Sequence, residues 1–415
     1  MRNAPTDWLR LDNAAKIYPA THTEEWSAVF RVSVTLTHEI DPLILDQSIA
    51  ASLRRFPSLY VQMRRGLFWY FLDKPPQSLQ VRAMRESEPP CRPLRDAEGV
   101  VFRVLYYGKR ISVEFFHVLT DGLGALTYLK ALTADYLTRM GLLDKPQEGI
   151  LSLNEDPMPR EWEDSFLRYA DPHAKGSWAE TPAWQAPGQP LCDGALTQCL
   201  MSVAELKMAA KANGVTITEY LGGLILYALH SHCTDNRPVK LSVPVNLRKF
   251  FPSKTLRNFS SYVNVMLNEN AENMADVCAE VRRQLREQAT KETLRHRMSL
   301  NVNSERNVLI RLAPLTVKNM ALRAAFVLYG ERLFTSTLSN LGGVVLPDDM
   351  AAHVEYFDMV IGMPHQNAHT FGAVSFRDTF VLSVTRRIAE SWLERDIVGL
   401  LRHDGVGVQL ISNGS

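Results

Sequence analysis

Phe115-Phe116-His117-Val118-Leu119-Thr120-Asp121-Gly122-Leu123-Gly124-Ala125-Leu126 joins an apolar strand to an amphipathic helix, with a histidine at the junction. Upstream, Ile111, Val113 and Phe115 alternate along residues 110 to 116, the period of a half-buried strand, and His117 continues their face. Downstream, Leu123, Leu126, Leu129, Leu132 and Tyr136 recur at helical spacing, and Asp121 stands where an N-capping carboxylate belongs. A neutral imidazole here suits removal of a proton, near neutral pH, from a hydroxyl or amine attacking an acyl carbonyl. The same position suits a histidine satisfied within the core. Spacing alone leaves both readings open.

Working toward the N-terminus, residues 100 to 107 and 111 to 116 form a hairpin about Gly108-Lys109, and the proline-rich piece from Pro75 to Pro93 is a connection. A second hairpin spans Leu59 to Phe71, and residues 27 to 37 form a strand that leads into a helix from Asp41-Pro42 to Arg55. Working toward the C-terminus, residues 144 to 194 read as a linker whose aromatics (Trp162, Tyr169, Trp178, Trp184) are expected to pack against a surface. A strand over 195 to 203 follows, then helices from Ala204 to Asn213 and from Thr216 to His232, and strands at Val239 to Leu247 and Tyr262 to Leu267. Residues 275 to 329 are largely helical with a break at Pro314. Strands are expected at Glu331 to Leu338, Ala352 to Phe357, Thr370 to Phe376 and Thr379 to Thr385, before a closing helix from Glu390. Adjacent hairpins interleaved with helices predict an α+β protein with mixed sheets, and not a doubly wound parallel sheet.

A chain of 415 residues exceeds what one core usually supports, so two units are expected. Its net charge of +1 offers no global electrostatic case for nucleic acid or an anionic membrane surface. Five cysteines (Cys91, Cys192, Cys199, Cys233, Cys278) without metal-type spacing fit reduced thiols in a cytoplasm. Residues Met1 to Asp7 lack the apolar core of a signal peptide, and no apolar run is long enough to span a bilayer, so a cytoplasmic location is expected. Asn258-Phe259-Ser260 and Asn413-Gly414-Ser415 match the glycosylation tripeptide and read as chance matches in that setting.

The order His117-Val118-Leu119-Thr120-Asp121-Gly122 resembles the H-x-x-x-D-G signature of acyltransferases with the chloramphenicol acetyltransferase-like fold, a superfamily that includes BAHD enzymes and peptide-synthetase condensation domains. Three more stretches resemble its alcohol acetyltransferase branch: Arg55-Phe56-Pro57-Ser58 with Arg65-Gly66-Leu67-Phe68-Trp69-Tyr70, Pro244-Val245-Asn246-Leu247-Arg248 with Asn258, and Leu338-Ser339-Asn340-Leu341-Gly342. The resemblance implies two sandwich lobes with mixed sheets and a tunnel between them. An N-terminal lobe would cover residues 1 to 180, with its linker at about 144 to 194, and a C-terminal lobe residues 195 to 415, with a crossover segment at about 331 to 362 returning to the first lobe. His117 would act as general base. Asp121 would point away from it and pair with Arg248, and Gly122, with Gly124 and Ala125, would form a close active-site turn that leaves room for a pantetheine. Thr337, Ser339 and Asn340 are candidate oxyanion donors, or members of a structural bulge where the crossing strand passes. Lys249, Lys254 and Arg257 are candidates for the phosphates of the donor or an acidic carrier protein, or for a solvated loop.

The implied activity is acyl transfer from a thioester to an alcohol, with acyl-CoA as co-substrate, no tightly bound cofactor and no metal. The acceptor would be a small-molecule or lipid alcohol. An amine acceptor, an acyl carrier protein as donor, or a non-catalytic carrier- or lipid-binding relative are the alternatives. Phe116 replaces the first of the two histidines usual in condensation domains, and the Asp-Phe-Gly-Trp-Gly segment of plant BAHD enzymes is absent; both favour the alcohol acetyltransferase comparison.

His230 and His232 point to different sides of a helix end, and His365 and His369 flank a loop, so neither pair suggests metal ligation. No H-E-x-x-H, paired C-x-x-C, P-loop, G-x-G-x-x-G or G-x-S-x-G appears. The stretch from Leu309 to Leu328, with Arg311, Lys318 and Arg323, is amphipathic; core packing is the expectation and a lipid-facing entrance the alternative.

Overall fold

The computed structural model describes residues 8–22, 28–74, 81–83, 89–93, 101–145, 147–176, 180–267, 273–306 and 312–412. Expectations that concerned Met1 to Asp7, Trp178, Leu309, Arg311 and Asn413-Gly414-Ser415 lie outside the described residues. The first part of the chain runs β1 (Trp8–Arg10), α1 (Ile17–Thr21), β2 (Val29–Leu36), α2 (Pro42–Arg55), β3 (Gln62–Arg65), β4 (Tyr70–Asp73), β5 (Val81–Ala83), β6 (Phe102–Tyr107), β7 (Arg110–Phe116) and α3 (Gly122–Arg139). After α4 (Ser165–Tyr169) come β8 (Pro190–Ser202), α5 (Val203–Ala212), α6 (Ile217–His230), β9 (Val239–Asn246), β10 (Ser260–Leu267), α7 (Met274–Gln288) and α8 (Lys291–Glu305). The remainder is α9 (Leu315–Tyr329), β11 (Ser336–Val344), α10 (Asp348–Ala351), β12 (Val354–Ile361), β13 (His369–Phe376), β14 (Thr379–Ile388), α11 (Trp392–His403) and β15 (Gln409–Ser412).

Local chemistry accounts for the helix starts. Asp41 accepts hydrogen bonds from the Leu43 and Ile44 amides with Pro42 in the first turn of α2, and Thr216 with Glu219 closes a capping box on α6. Described strands form a five-stranded sheet ordered β12-β2-β7-β6-β5, a seven-stranded sheet ordered β10-β9-β11-β13-β14-β8-β15, and a small sheet β1-β4-β3. The sheets are mixed: β5 runs parallel to β6, and β11 runs parallel to both β13 and β9. One large core lies between the five-stranded sheet and helices α2 and α3; a second lies between the seven-stranded sheet and α5, α6, α7 and α11. A smaller apolar cluster (Phe166, Leu247, Phe251, Phe259, Leu294, Met298, Val302) sits where α4 and α8 cover the loop after β9.

Several local expectations change. Strand β7 is buried on both faces and not on one, and Glu114 on its second face is held by Arg31 at 2.5 Å and Arg103 at 2.6 Å, which satisfies the carboxylate there. Residues 331–333 form a single 3-10 turn; β11 begins only at Ser336 and continues through Gly342-Gly343 by way of a bulge. The bulge is braced by the Asn340 side chain, which accepts from the Gly342 amide at 2.8 Å, and Gly342 takes φ +80°, a conformation that favours glycine. The segment Ser339-Asn340 therefore stays in the seven-stranded sheet. The strand that crosses is β12, which pairs antiparallel with β2 from Phe30 to Leu36. Elements β1, α1 and β15 hold three to five residues each, too few for periodicity to reveal. Within the linker, Glu161 takes both guanidinium nitrogens of the buried Arg55 at 2.6 and 2.8 Å, and Trp184 is buried in the second core.

Candidate active site

His117 leaves β7 at a turn fixed by its own amide, which donates to the Ala28 carbonyl at 2.8 Å. Tyr18 of α1 stacks on the imidazole with ring centroids 4.9 Å apart, and Phe30 of β2 lies tilted against it at 5.0 Å. The residue as a whole is half-buried. Its Nδ1 is 2.9 Å from Oδ1 of Asn258, which lies in the loop between β9 and β10. The Asn258 amide nitrogen donates to Asp12 Oδ2 at 3.1 Å and to the His117 carbonyl oxygen at 2.9 Å. Two acceptors on one side fix which end of the amide carries the nitrogen, so Oδ1 faces the ring. An oxygen facing Nδ1 requires Nδ1 to carry the proton. Nε2 is then the bare, basic nitrogen, and among the described residues it has no hydrogen-bond partner.

Burial lowers the proton affinity of His117 below the usual histidine range, partly offset by the Asp121 carboxylate and the Asn258 contact. The ring is therefore neutral at pH 7. Asp12, sealed in the interior, is pushed up to about 6 by burial, against the pull of Arg257.

Asp121 caps α3 through the Gly124 amide at 3.1 Å, and its other oxygen accepts from Arg248 Nη1 at 2.7 Å and from the Phe259 amide at 2.8 Å. Arg248 spends its remaining donors on the carbonyls of Thr255 (3.0 Å) and Arg257 (2.6 Å), which curls residues 248–258 into a tight loop and sets Asn258 against the imidazole. Glu161 of the linker braces the same loop, its carbonyl accepting from the Leu256 amide at 2.7 Å. Gly124 admits no side chain: a Cβ there would lie 2.2 Å from the Leu256 carbonyl oxygen. At Gly122 a Cβ would fall 2.6 Å from Leu341 Cδ2, which brings β11 directly over the start of α3.

On β11, Thr337 and Ser339 alternate with Leu338 and so share the side of Leu341, toward α3. Asn340 points the other way and donates to Thr218 Oγ1 at 3.0 Å, so its amide braces the bulge and α6. A groove of about 590 Å³ lies on that far side, lined by Lys207, Thr216, Thr218, Asn340, Gly343 and Arg377 among others, and does not include His117. Lys249 and Lys254 are exposed on the 248–258 loop. Arg257 is turned inward instead of joining them: it is buried, 3.5 Å from Asp12, and donates to the Arg10 carbonyl at 2.6 Å. Burial and an internal carboxylate withdraw it from any surface phosphate site. His232 meets Asp396 at 2.7 Å, while His369 is buried near Glu394. Sequence reading passed over Asp12 and Tyr18 and gave Asn258 no role at the ring; Asn258 follows the Arg248 motif by ten residues, the one signal that pointed to it.

No protein-family profile matches the sequence, and no curated protein matches it. Solved structures do match its fold. The starter condensation domain of rhizomide synthetase RzmA, solved with C8-CoA and Leu-SNAC, superposes with TM-score 0.63 at 13% identity over 96% of this chain and 94% of that one. TRI101 of F. sporotrichioides, solved with coenzyme A and T-2, gives 0.62 at 13% identity over 99% and 100%. Polyketide synthase associated protein 5 from Mycobacterium tuberculosis gives 0.57 at 14% identity over 95% and 97%. At these identities the likeness is one of fold, and it extends over the whole length of the chain.

Proposed function

We propose that this chain transfers an acyl group from a thioester, acyl-CoA in the first instance, to an alcohol. One observation carries the reading: Asn258 and Asp12 hold His117 in the Nδ1–H tautomer, with Nε2 bare beside the start of α3. In this reading Nε2 takes the acceptor's hydroxyl proton as its oxygen attacks the thioester carbonyl carbon. The tetrahedral oxyanion collapses, the carbon–sulfur bond breaks, and the imidazolium returns the proton to the departing sulfur. Ester and free thiol are the products, with no covalent enzyme intermediate. Asn258 Oδ1 accepts from the Nδ1–H throughout and stabilises the imidazolium when it forms, and the nearby Asp121 carboxylate favours that charge too. Thr337 or Ser339 would donate to the oxyanion from β11; Asn340, spent on Thr218, would not. Lys249 and Lys254 would meet an anionic donor at the mouth of the loop.

Two of the three fold neighbours were solved with coenzyme A or an acyl-CoA, which supports the donor class. Leu-SNAC in the condensation domain supports an amine acceptor as a second reading. The test is thiol release from acyl-CoA donors of graded chain length against panels of alcohols and amines, with His117→Ala as control. Release with alcohols that vanishes in a folded His117→Ala protein is expected. Full activity in that variant removes the mechanism, and release with amines alone transfers the assignment to amide formation.

A further inference from the structure

Helix α9 carries its apolar stripe on the outside. Val317, Met320, Ala321 and Ala324 follow the i, i+3, i+4, i+7 spacing that normally faces a core, yet all four are exposed, Val317 by 53% and Met320 by 73%. The opposite side of the helix is the one that docks: Leu315 is buried, its amide donates to the Leu67 carbonyl at 2.9 Å, Lys318 Nζ donates to the Phe68 carbonyl at 2.9 Å, and Asn319 donates to the Tyr70 hydroxyl at 2.7 Å. These bonds tie α9 to the tip of the β3–β4 hairpin and extend the apolar surface through Leu312 and Leu67, exposed by 67% and 73%. It continues across the small sheet, where Arg10 lies between Trp8 and Trp69 at 5.8 and 5.7 Å from their rings.

The charges on this face differ from those of the whole molecule. The elements around this face (β1, α1, β3, β4 and α9, with the hairpin tip) contain Arg10, Arg64, Arg65, Lys318 and Arg323 against one carboxylate, Asp73, while the chain as a whole carries +1. Lys318 and Arg323 lie at its margin, turned to the carbonyls of Phe68 and Ala20, and Arg65 alternates to the side of the small sheet opposite Arg10 and Arg64. Asp73 is itself engaged by Arg64 at 3.1 Å. Exposed tryptophans beside arginine, an outward apolar helix stripe and a local excess of cations are the combination that seats a peripheral protein in the headgroup layer of an anionic bilayer. No helix among the described residues is long and apolar enough to cross a membrane, so contact through such a face would be peripheral.

The face adjoins the catalytic imidazole. Arg323 of α9 donates to the Ala20 carbonyl at 2.6 Å, and α1, which contains Ala20, also carries Tyr18, stacked on His117. The segment from Trp8 to Thr21 thus has the apolar face on one side and the imidazole on the other. We infer that the surface of α9, the β3–β4 tip and β1 docks on an anionic phospholipid bilayer, from which a lipid alcohol reaches His117. The acceptor half of this inference rests on the acyl-transfer reading; the docking half does not.

Co-sedimentation of the 415-residue chain with phosphatidylcholine vesicles, with and without phosphatidylglycerol, tests the docking. Binding to the phosphatidylglycerol vesicles that weakens with salt is expected. The variant Val317→Glu/Met320→Glu should lose about tenfold or more of that partitioning while keeping its thermal transition and its thiol release with a short, soluble alcohol. Should the pair not fold, the single change Met320→Glu carries the same expectation in direction. Failure of the parent protein to sediment, unchanged sedimentation of the variant, or a parent that is oligomeric without vesicles and is made monomeric by the variant would each overturn the docking. Absence of thiol release with every donor counts against acyl transfer alone, since sedimentation is scored without turnover. For the acceptor, a long-chain alcohol presented in phosphatidylglycerol vesicles should be turned over more slowly by the variant than by the parent, and equal rates would overturn that half.

Discussion

His117 ends the run of β7 and His369 begins β13, and burial lowers the proton affinity of both imidazoles. Each also has a carboxylate nearby. For His369 the surroundings lead nowhere: it is 1% exposed, its Nε2 is 3.7 Å from Glu394 and makes no hydrogen bond, Arg386 takes the other Glu394 oxygen at 2.6 Å, and its affinity is pushed down to about 3. For His117 one nitrogen is held at 2.9 Å by an amide whose own orientation is fixed, and the residue is half-buried. A depressed histidine is therefore no mark of function by itself. What separates the two is partial exposure of the residue and a tautomer fixed from behind.

Substituting each histidine is the most forceful way to break the contrast. His117→Ala should cost about 10²- to 10⁴-fold in kcat with an unchanged thermal transition, and His369→Ala should leave kcat unchanged while lowering stability by roughly 1 to 3 kcal/mol. Steady-state thiol release and denaturant unfolding on both proteins decide this, and equal loss of kcat would erase the distinction. Asp121→Asn should destabilise by about 3 to 5 kcal/mol, the scale of leaving a buried partner such as Arg248 uncompensated. Unfolding midpoints that match the parent would mean the bridge is dispensable.

Asn258→Ala probes the tautomer directly. Loss of a hydrogen bond to a forming imidazolium, about 1.5 to 3 kcal/mol, should appear as roughly a 10- to 100-fold drop in kcat with little change in KM. Because that contact favours the charged ring, its removal should also move the acid limb of the rate–pH profile to lower pH. A purely structural asparagine would leave the limb in place. On the acyl-transfer reading the neutral ring is the active form in the parent, and its affinity lies below 6.5, so activity should persist on acidification past pH 6.5 and fall only as pH drops through the lowered value. An acid limb at or above 6.5 contradicts the burial. A last contrast lies in stability and not in rate: the folded value of His369, about 3, lies below the ordinary 6.5, so the unfolded chain binds the extra proton and stability should decline as pH falls from 6.5 toward 3. His369→Phe should flatten that slope in unfolding measured across the same range.

The strand and helix about His117 were legible because their periods are long and regular, and the mixed α+β class followed from hairpins alternating with helices. Asn258 was not legible as a partner of the ring, because its place depends on Arg248 drawing in the carbonyls of Thr255 and Arg257. A run of basic letters likewise does not say which cation turns inward, and Arg257 left the group because Asp12, far off in sequence, is its partner. The stripe on α9 was visible, but periodicity marks a face without saying whether that face meets the core or the solvent. Tyr18 and Asp12 fall in or beside elements shorter than any window that detects a period.

The pairing of β12 with β2 also bears on synthesis. Strand β2, buried along its whole length, borders β7 on one side and receives residues 354–361 on the other. Until those residues leave the ribosome, a row of backbone donors and acceptors on β2 stays open, and at about 5 to 20 residues per second the wait between the two strands is tens of seconds. Through that interval the nascent chain offers an open strand edge to any passing strand, so the hazard of misassembly lasts until residues 354–361 have been made.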